Sequence, residues 1–203
     1  MVSQPPMPTR LAVVLVVPVL LGASLALPAS AETARWVAES GRSRAGFDAI
    51  QYFGNFSGVS ETPTGEVEVD IEDLKKPITG TWVVPVTSLR TGKSSRDRSL
   101  WRALDAEHHP EIRYRIERVE SSFSSLAENT DVLLTIHGDL SMRGAERQVT
   151  FLGRIRVRQG SLWVRGESRI KPADWGVPLL RSWLVSMKDH VLATFDLVLS
   201  KPK

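Results

Sequence analysis

The stretch TGKSSRDRSLWRALDAEHHPEIRYR, Thr91–Arg115, decides the fold, because a helical pattern gives way to strand alternation within it. Ser94 and Asp97 stand three residues apart, as in a capping box that satisfies the free amides of a helix start. The apolar residues that follow share one helical face: Leu100, Trp101 and Leu104. The pattern predicts a short helix near residues 95–106, inserted between strands.

The residues around this helical pattern alternate between apolar and polar, which is the period-2 mark of a strand with one buried face. Pro110 ends the helical pattern, and Ile112 begins such an alternating run. The segment GEVEVDIED at residues 65–73 is a second example. Runs of this kind, most of them joined by short polar turns, predict an all-β sandwich or barrel of about eight antiparallel strands. We expect the inserted helix to lay its apolar side over an open barrel end.

The first 31 residues have the pattern of a targeting segment. Arg10 precedes the uncharged run LAVVLVVPVLLGASLAL, and a small-residue site ends at Ala31. A basic start, an apolar centre and an A-x-A site are typical of a secretory signal peptide. A retained membrane anchor is the alternative, but a span needs about 20 apolar residues and Pro18 interrupts this run. We predict a signal peptide over residues 1–31, cleaved near Ala31, and a periplasmic or secreted domain over residues 32–203.

Charge and cysteine content narrow the function classes of that domain. Removing 31 of 203 residues leaves 172, which is enough for one domain with a real core. The removed segment holds one Arg and no acid, so the formal net charge falls from +3 to +2. A nucleic-acid binder would concentrate its Lys and Arg on one face, so we predict no nucleic-acid partner. The chain has no Cys, which excludes disulfides and a lipid-anchoring cysteine.

The sequence offers few residues for catalysis or metal binding. His108 and His109 are adjacent, so in an extended chain their side chains point in opposite directions and chelate one ion poorly. Asp105, Glu107 and His109 could meet at a helix end, but their spacing matches no zinc pattern. The sequence also lacks a G-x-S-x-G motif, a P-loop and a G-x-G-x-x-G motif before a helix. We therefore predict no catalytic residue, no metal and no cofactor.

An Arg–Asp pair stands at the start of the predicted helix. Asp97 is expected to accept hydrogen bonds from backbone amides, and Arg96 is expected to reach carbonyl groups of the preceding loop. The pair would then be a structural motif that clamps this loop. The alternative is a buried pair that faces the head group of a ligand.

Several motifs together resemble the YceI-like family of exported lipocalin-like barrels, which are named for binding polyisoprenoid and other long apolar chains. The resemblance spans Trp36 to Leu199. The segments that carry it are GNFSG at 54–58, SLRTGKSSRDRSL at 88–100, HHPEIRYR at 108–115, IHGDLSMRGAERQVTF at 136–151 and RIKPADWGV at 169–177. The family usually has histidine two residues after the aspartate of the Arg–Asp pair, where this chain has Ser99.

The resemblance implies an extended lipocalin-like barrel that holds one apolar ligand in its lumen, namely a polyisoprenoid, a fatty acyl chain or a similar lipid. Residues expected to face the lumen are candidates for ligand contact: Phe47, Phe56, Val67, Val69, Trp82, Val84, Leu100, Leu104, Tyr114, Ile136, Phe151, Val164, Trp175 and Phe195. The implied partner is that apolar small molecule. The sequence leaves open a membrane-surface contact for ligand exchange and a homodimer.

Two other functions are compatible with the sequence. Large aromatic side chains could fill the barrel, which would leave an envelope protein-interaction or stress-response module without a ligand. A lipid-modifying enzyme acting through Asp97 or His109 is the second alternative. The state of the lumen decides between the first alternative and a carrier.

Overall fold

A computed structural model of the chain describes residues 33–51, 55–178 and 187–202. Residues 31–203 form one compact unit. The predicted signal peptide lies outside the described residues and stays a prediction. Among the described residues, no helix is both long enough and apolar enough to cross a membrane.

The described residues contain ten strand segments, one α-helix and two short 3₁₀ helices. The strands are β1 (Ala34–Ala38), β2 (Arg44–Gln51), β3 (Phe56–Ser60), β4 (Thr64–Val69), β5 (Thr79–Pro85), β6 (Glu111–Ser121), β7 (Val132–Met142), β8 (Ala145–Arg158), β9 (Ser161–Ile170) and β10 (Met187–Ser200). The helix α1 (Ser94–Ala103) lies between β5 and β6, and the 3₁₀ helices cover Val86–Ser88 and Pro172–Trp175.

β1 and β2 behave as one strand with an interruption at residues 39–43. Both run antiparallel to β10, where Ala38 pairs with Leu199 and Arg44 pairs with Asp196. The fully buried Ser43 bridges the interruption, because its Oγ donates to the Val198 carbonyl (3.2 Å) and accepts from the Val198 amide (3.1 Å). The barrel wall therefore continues across a break that sequence alternation alone does not reveal.

β3 and β4 form a second interrupted strand that runs back along the first, because β3 pairs with β2 and β4 pairs with β1. Counted this way, the ten described segments make eight antiparallel strands. β1 hydrogen-bonds to both β4 and β10, so the sheet closes into a barrel. The sequence-based prediction of an antiparallel lipocalin-like barrel of about eight strands with one inserted helix is confirmed.

The helix start differs from the predicted capping box. Lys93 occupies the N-cap position, Ser94 is already helical, and no side chain caps the helix there. Instead Asp97 lies in the first turn and binds the loop before the helix. The predicted box at Ser94 is wrong because the loop bends at Gly92 (φ 78°) and brings the Thr91 amide and hydroxyl to the Asp97 carboxylate.

Candidate functional site

The barrel contains a partly open apolar cavity of about 170 Å³ at the end where α1 lies. We call this cavity the chamber. Its wall comes from the strands, α1 and the second 3₁₀ helix, and its lining residues are Ala45, Gly46, Phe47, Phe56, Pro63, Trp82, Val84, Leu89, Leu100, Ala103, Leu104, Ile112, Tyr114, Leu140, Met142, Phe151, Ile170, Pro172, Val177, Val191, Ala193, Thr194, Phe195 and Leu197. This volume is about ten times what a single water molecule needs. Among the residues that the structure describes, no Asp, Glu, His, Lys or Arg belongs to the lining, so the chamber suits hydrocarbon.

Three aromatic rings of the chamber lining form a cluster in which Phe151 contacts the other two. The Phe151 ring lies 5.0 Å from the Tyr114 ring and 5.3 Å from the Phe195 ring, measured between centroids. The Tyr114 hydroxyl lies 3.0 Å from the Val149 carbonyl oxygen and 3.1 Å from the Ile136 carbonyl oxygen, so its donor points into the wall. Burial, reinforced by the charges of Asp139 and Glu117, raises the pKa of Tyr114. We call these three rings the aromatic floor.

Glycines on neighbouring strands make room for the aromatic side chains of the chamber. A Cβ atom added to Gly166 would lie 2.4 Å from Phe195 Cζ, and one added to Gly58 would lie 2.4 Å from Phe47 Cε1. A Cβ atom added to Gly65 would lie 2.4 Å from Trp82 Cε3. One added to Gly138 would lie 2.8 Å from Tyr114 Cζ and 2.9 Å from the Tyr114 hydroxyl oxygen. These four aromatic side chains therefore pack closely over glycine backbone, where a larger residue would clash with them.

The helix α1 forms one side of the chamber with Leu100, Ala103 and Leu104. Two contacts hold its ends. The buried Asp97 carboxylate accepts from the Thr91 amide (2.7 Å) and the Thr91 hydroxyl (2.6 Å), and Arg143 Nε donates to the Ala103 carbonyl (3.1 Å) at the other end. A cation at the last carbonyls of a helix also complements the helix dipole. We refer to α1 as the lid helix.

The Arg–Asp motif is partly as predicted. Asp97 binds a backbone amide, as expected, whereas the Arg96 guanidinium lies over the Phe56 ring at 4.6 Å from its centroid. Such a cation–π contact holds Arg96 beside a residue of the chamber wall. Ser99, where the family usually has histidine, donates its hydroxyl to the Ser95 carbonyl (3.1 Å) within the helix. This serine does not line the chamber.

Replacing Asp97 with alanine is expected to loosen the lid helix. The change leaves the Thr91 amide and hydroxyl without their acceptor, at a cost of about 1–3 kcal/mol. Limited trypsin digestion should then cut the lid helix, which contains Arg96, Arg98 and Arg102, faster than in the unaltered chain. The exposed Glu107 just beyond the helix gives a matched control, so Glu107→Ala should leave the cleavage rate unchanged. Equal cleavage in Asp97→Ala and the unaltered chain would refute this role.

Nine of the fourteen residues predicted for ligand contact line the chamber: Phe47, Phe56, Trp82, Val84, Leu100, Leu104, Tyr114, Phe151 and Phe195. The other five are buried in the core but are not among the lining residues: Val67, Val69, Ile136, Val164 and Trp175. Trp175 packs against β7, where its Nε1 donates to the Leu140 carbonyl (2.9 Å). Whether any of the fourteen touches a ligand stays a prediction.

Sequence reasoning missed lining residues of three kinds. Small residues of the wall, such as Ala45 and Ala193, carry no strong hydrophobic signal although both lie on alternating strands. Leu89 and Pro63 come from connections between strands. Leu140 and Met142 could have been found, because they continue the alternation of β7 towards the lid helix.

The histidine pair lies just beyond the lid helix and away from the chamber wall. Asp105, which has a left-handed backbone (φ 55°), contacts His108 Nδ1 through Oδ1 at 2.8 Å. This hydrogen bond, together with the negative charges of Asp105 and Glu107, raises the pKa of His108. His109 Nε2 lies 4.0 Å from Asp105 Oδ2. No group of three His, Cys, Asp or Glu side chains is arranged to hold a metal ion within the described residues.

Comparison with known proteins places this barrel in a family. The sequence profile of the YceI-like domain matches residues 36–199, and no curated protein matches the sequence significantly. A polyisoprenoid binding domain from Saccharophagus degradans, implicated in plant cell wall breakdown, is similar in structure, with a TM-score of 0.67 and 15% identity over 84% of this chain and 100% of that chain. BcnA of Burkholderia cenocepacia has a TM-score of 0.65 and 15% identity over 79% of this chain and 98% of its own.

The Campylobacter jejuni YceI protein is also similar, with a TM-score of 0.59 and 13% identity over 72% of this chain and 84% of its own. At these identities the three structures establish a common fold, and the profile match covers most of the chain. The protein belongs to the YceI-like family.

Proposed function

We propose that this protein binds a long apolar chain, such as a polyisoprenoid or a fatty acyl chain, in the chamber and carries it outside the cytoplasm. The observation that supports this proposal is the chamber itself: a partly open apolar space whose lining, within the described residues, contains no charged side chain. A structural relative is described as a polyisoprenoid binding domain, which is consistent with the same ligand class. Export rests on the signal-peptide pattern of residues 1–31.

The energetics favour a ligand that is mostly hydrocarbon. Each buried methylene contributes about 0.8 kcal/mol, before the loss of chain entropy is subtracted. A charged or strongly polar group would lose its hydration in the chamber and find few partners, because the Tyr114 hydroxyl already points towards backbone carbonyl oxygens. We therefore expect the polar end of an amphiphilic ligand to remain near the lid helix and the hydrocarbon end to reach the aromatic floor.

We propose binding without catalysis. A general acid, base or nucleophile must reach the reacting atom, and the described part of the chamber lining includes no carboxylate or imidazole. Asp97 is engaged with Thr91, and His109 lies outside the lining residues. Both residues proposed for a lipid-modifying enzyme are thus absent from the chamber wall.

Native mass spectrometry of gently purified protein tests the proposal. The protein would be expressed with residues 1–31 and isolated without detergent or organic solvent. We expect the mature chain to show the added mass of a bound lipid. Extraction and identification of that mass would give the ligand class. The proposal fails if only the unliganded mass is found and the purified protein also takes up no prenyl alcohol or fatty acid.

A further inference from the structure

Positive charge is concentrated on the lid segment, which we define as residues 90–104. It contains five cations and one acid: Arg90, Lys93, Arg96, Arg98, Arg102 and Asp97. Its formal net charge is therefore +4, while residues 32–203 as a whole carry +2. The rest of the predicted domain consequently has a net charge of −2, so the molecule is strongly asymmetric in charge.

Most cations of the lid segment are exposed, and two of them, Arg98 and Arg102, lie on the side of the lid helix opposite Leu100. Lys93, Arg98 and Arg102 are exposed, whereas Leu100 and Ala103 are buried and line the chamber. The only acid of the segment, Asp97, is buried at 6% exposure and bonded to Thr91. The outer face of the helix is thus cationic, and the inner face forms part of the chamber wall.

The cations of the lid segment differ from most arginines of the barrel strands, which form ion pairs with nearby carboxylates. Such pairs include Arg35–Glu66, Arg44–Glu61, Arg115–Asp139, Arg156–Asp131 and Arg165–Asp196. Within residues 33–51, 55–178 and 187–202, no carboxylate forms an ion pair with any cation of the lid segment. Arg90 lies instead over the Trp101 ring, 4.9 Å from its centroid. The positive charges of the lid segment therefore remain available to an external anion.

We propose that the outer face of the lid segment docks on an anionic phospholipid surface, so that the chamber loads and unloads its ligand against a membrane. This inference rests on the proposed function, because a long apolar chain crosses water only at a large free-energy cost. Lys and Arg side chains near an anionic bilayer each contribute about 1 kcal/mol to binding. The half-buried Trp101 adds an aromatic side chain of the kind found at the bilayer interface.

A lipid surface fits this face better than an acidic protein partner. The exposed cations Arg98 and Arg102 lie on the lid helix and Lys93 stands at its N-cap, and all three are carried on long, flexible side chains. Head groups in a fluid bilayer can rearrange around such a helix without a complementary groove. Docking through this face would bring the chamber next to the membrane, since the helix that carries these charges is part of the chamber wall.

Vesicle cosedimentation of the mature, ligand-free chain tests the docking face. We expect binding to phosphatidylcholine vesicles containing one third phosphatidylglycerol, and little binding to phosphatidylcholine alone. The triple variant Lys93→Gln, Arg98→Gln, Arg102→Gln should bind the anionic vesicles about a hundredfold more weakly, at about fivefold per cation. High salt should weaken binding of the unaltered chain in the same direction.

A second triple variant, with the same change of charge at positions outside the lid segment, is the control. Lys75, Arg158 and Lys201 are exposed and outside the lid segment, so replacing all three with Gln should preserve vesicle binding. Equal loss in both triple variants, or equal binding of the unaltered chain to both vesicle types, would overturn the proposal. So would binding to soluble polyglutamate but not to anionic vesicles, which would indicate an acidic protein partner.

Uptake of a prenyl alcohol in solution is measured separately for each variant. If both triple variants take up the alcohol normally while only the lid-segment variant fails to bind vesicles, docking and ligand binding are established as separate properties. If the unaltered chain binds anionic vesicles but takes up no lipid, the proposed function fails and the docking face stands. The two proposals can therefore fail independently.

Discussion

Replacing Ala193 with phenylalanine should weaken binding of a long prenyl chain about fiftyfold while leaving the barrel folded. Ala193 lies on β10 and lines the chamber, paired with Phe47 on one side and Ser168 on the other. A phenyl ring at this position would project into the open space that the ligand is proposed to occupy. Excluding three methylenes alone costs about 2.4 kcal/mol, which is about a fiftyfold loss of affinity.

The stability cost of this substitution should be small. Overpacking a filled core costs about 1–3 kcal/mol, but here the chamber can receive the ring. Affinity would be measured by displacement of a fluorescent fatty acid, and folding by thermal unfolding followed by circular dichroism.

Leu133→Phe is the matched control, because it introduces the same ring away from the chamber. Leu133 is 68% exposed on the outer face of β7. Undiminished binding by a folded Ala193→Phe variant would place the ligand outside the chamber.

The sequence supports the fold more firmly than it supports the site. Alternation along β6, β7 and β8 identifies which side chains point inward, and the buried Tyr114, Ile136 and Phe151 agree with it. Alternation does not indicate how far along the barrel axis a residue lies. Phe151 and its cross-strand partner Ile136 both point inward, yet only Phe151 reaches the chamber.

Two other features depend on long-range contacts that no local pattern reveals. Gly166 makes room for Phe195 across a strand pair, although the two residues are far apart in the sequence. Asp97 and Ser94 have the spacing of a capping box, but the loop geometry gives Asp97 a partner at Thr91 instead. The close packing of such rings over glycine depends on the strand register, which no local sequence pattern gives.

Replacing Phe151 with alanine should destabilise the barrel strongly and also enlarge the chamber. Phe151 is the central ring of the aromatic floor, is 5% exposed and contacts both Tyr114 and Phe195. Removing a buried Phe side chain costs about 3–5 kcal/mol, because apolar contacts are lost and a cavity remains. For a domain of this size the melting temperature should fall by roughly 10 °C.

The cavity left by Phe151→Ala would join the chamber, so an apolar ligand could fill it. We therefore expect saturating prenyl alcohol to raise the melting temperature of the variant more than that of the unaltered chain, since ligand binding to the folded state stabilises it by mass action. Phe123→Ala supplies the same change at a residue that is 55% exposed, and it should alter neither the melting temperature nor the ligand response. A large loss of stability without the increased ligand response would mean that Phe151 supports the core but does not bound the binding space. Both effects together would show that the aromatic floor limits how deeply the ligand enters, because a purely structural ring has no reason to couple to the ligand.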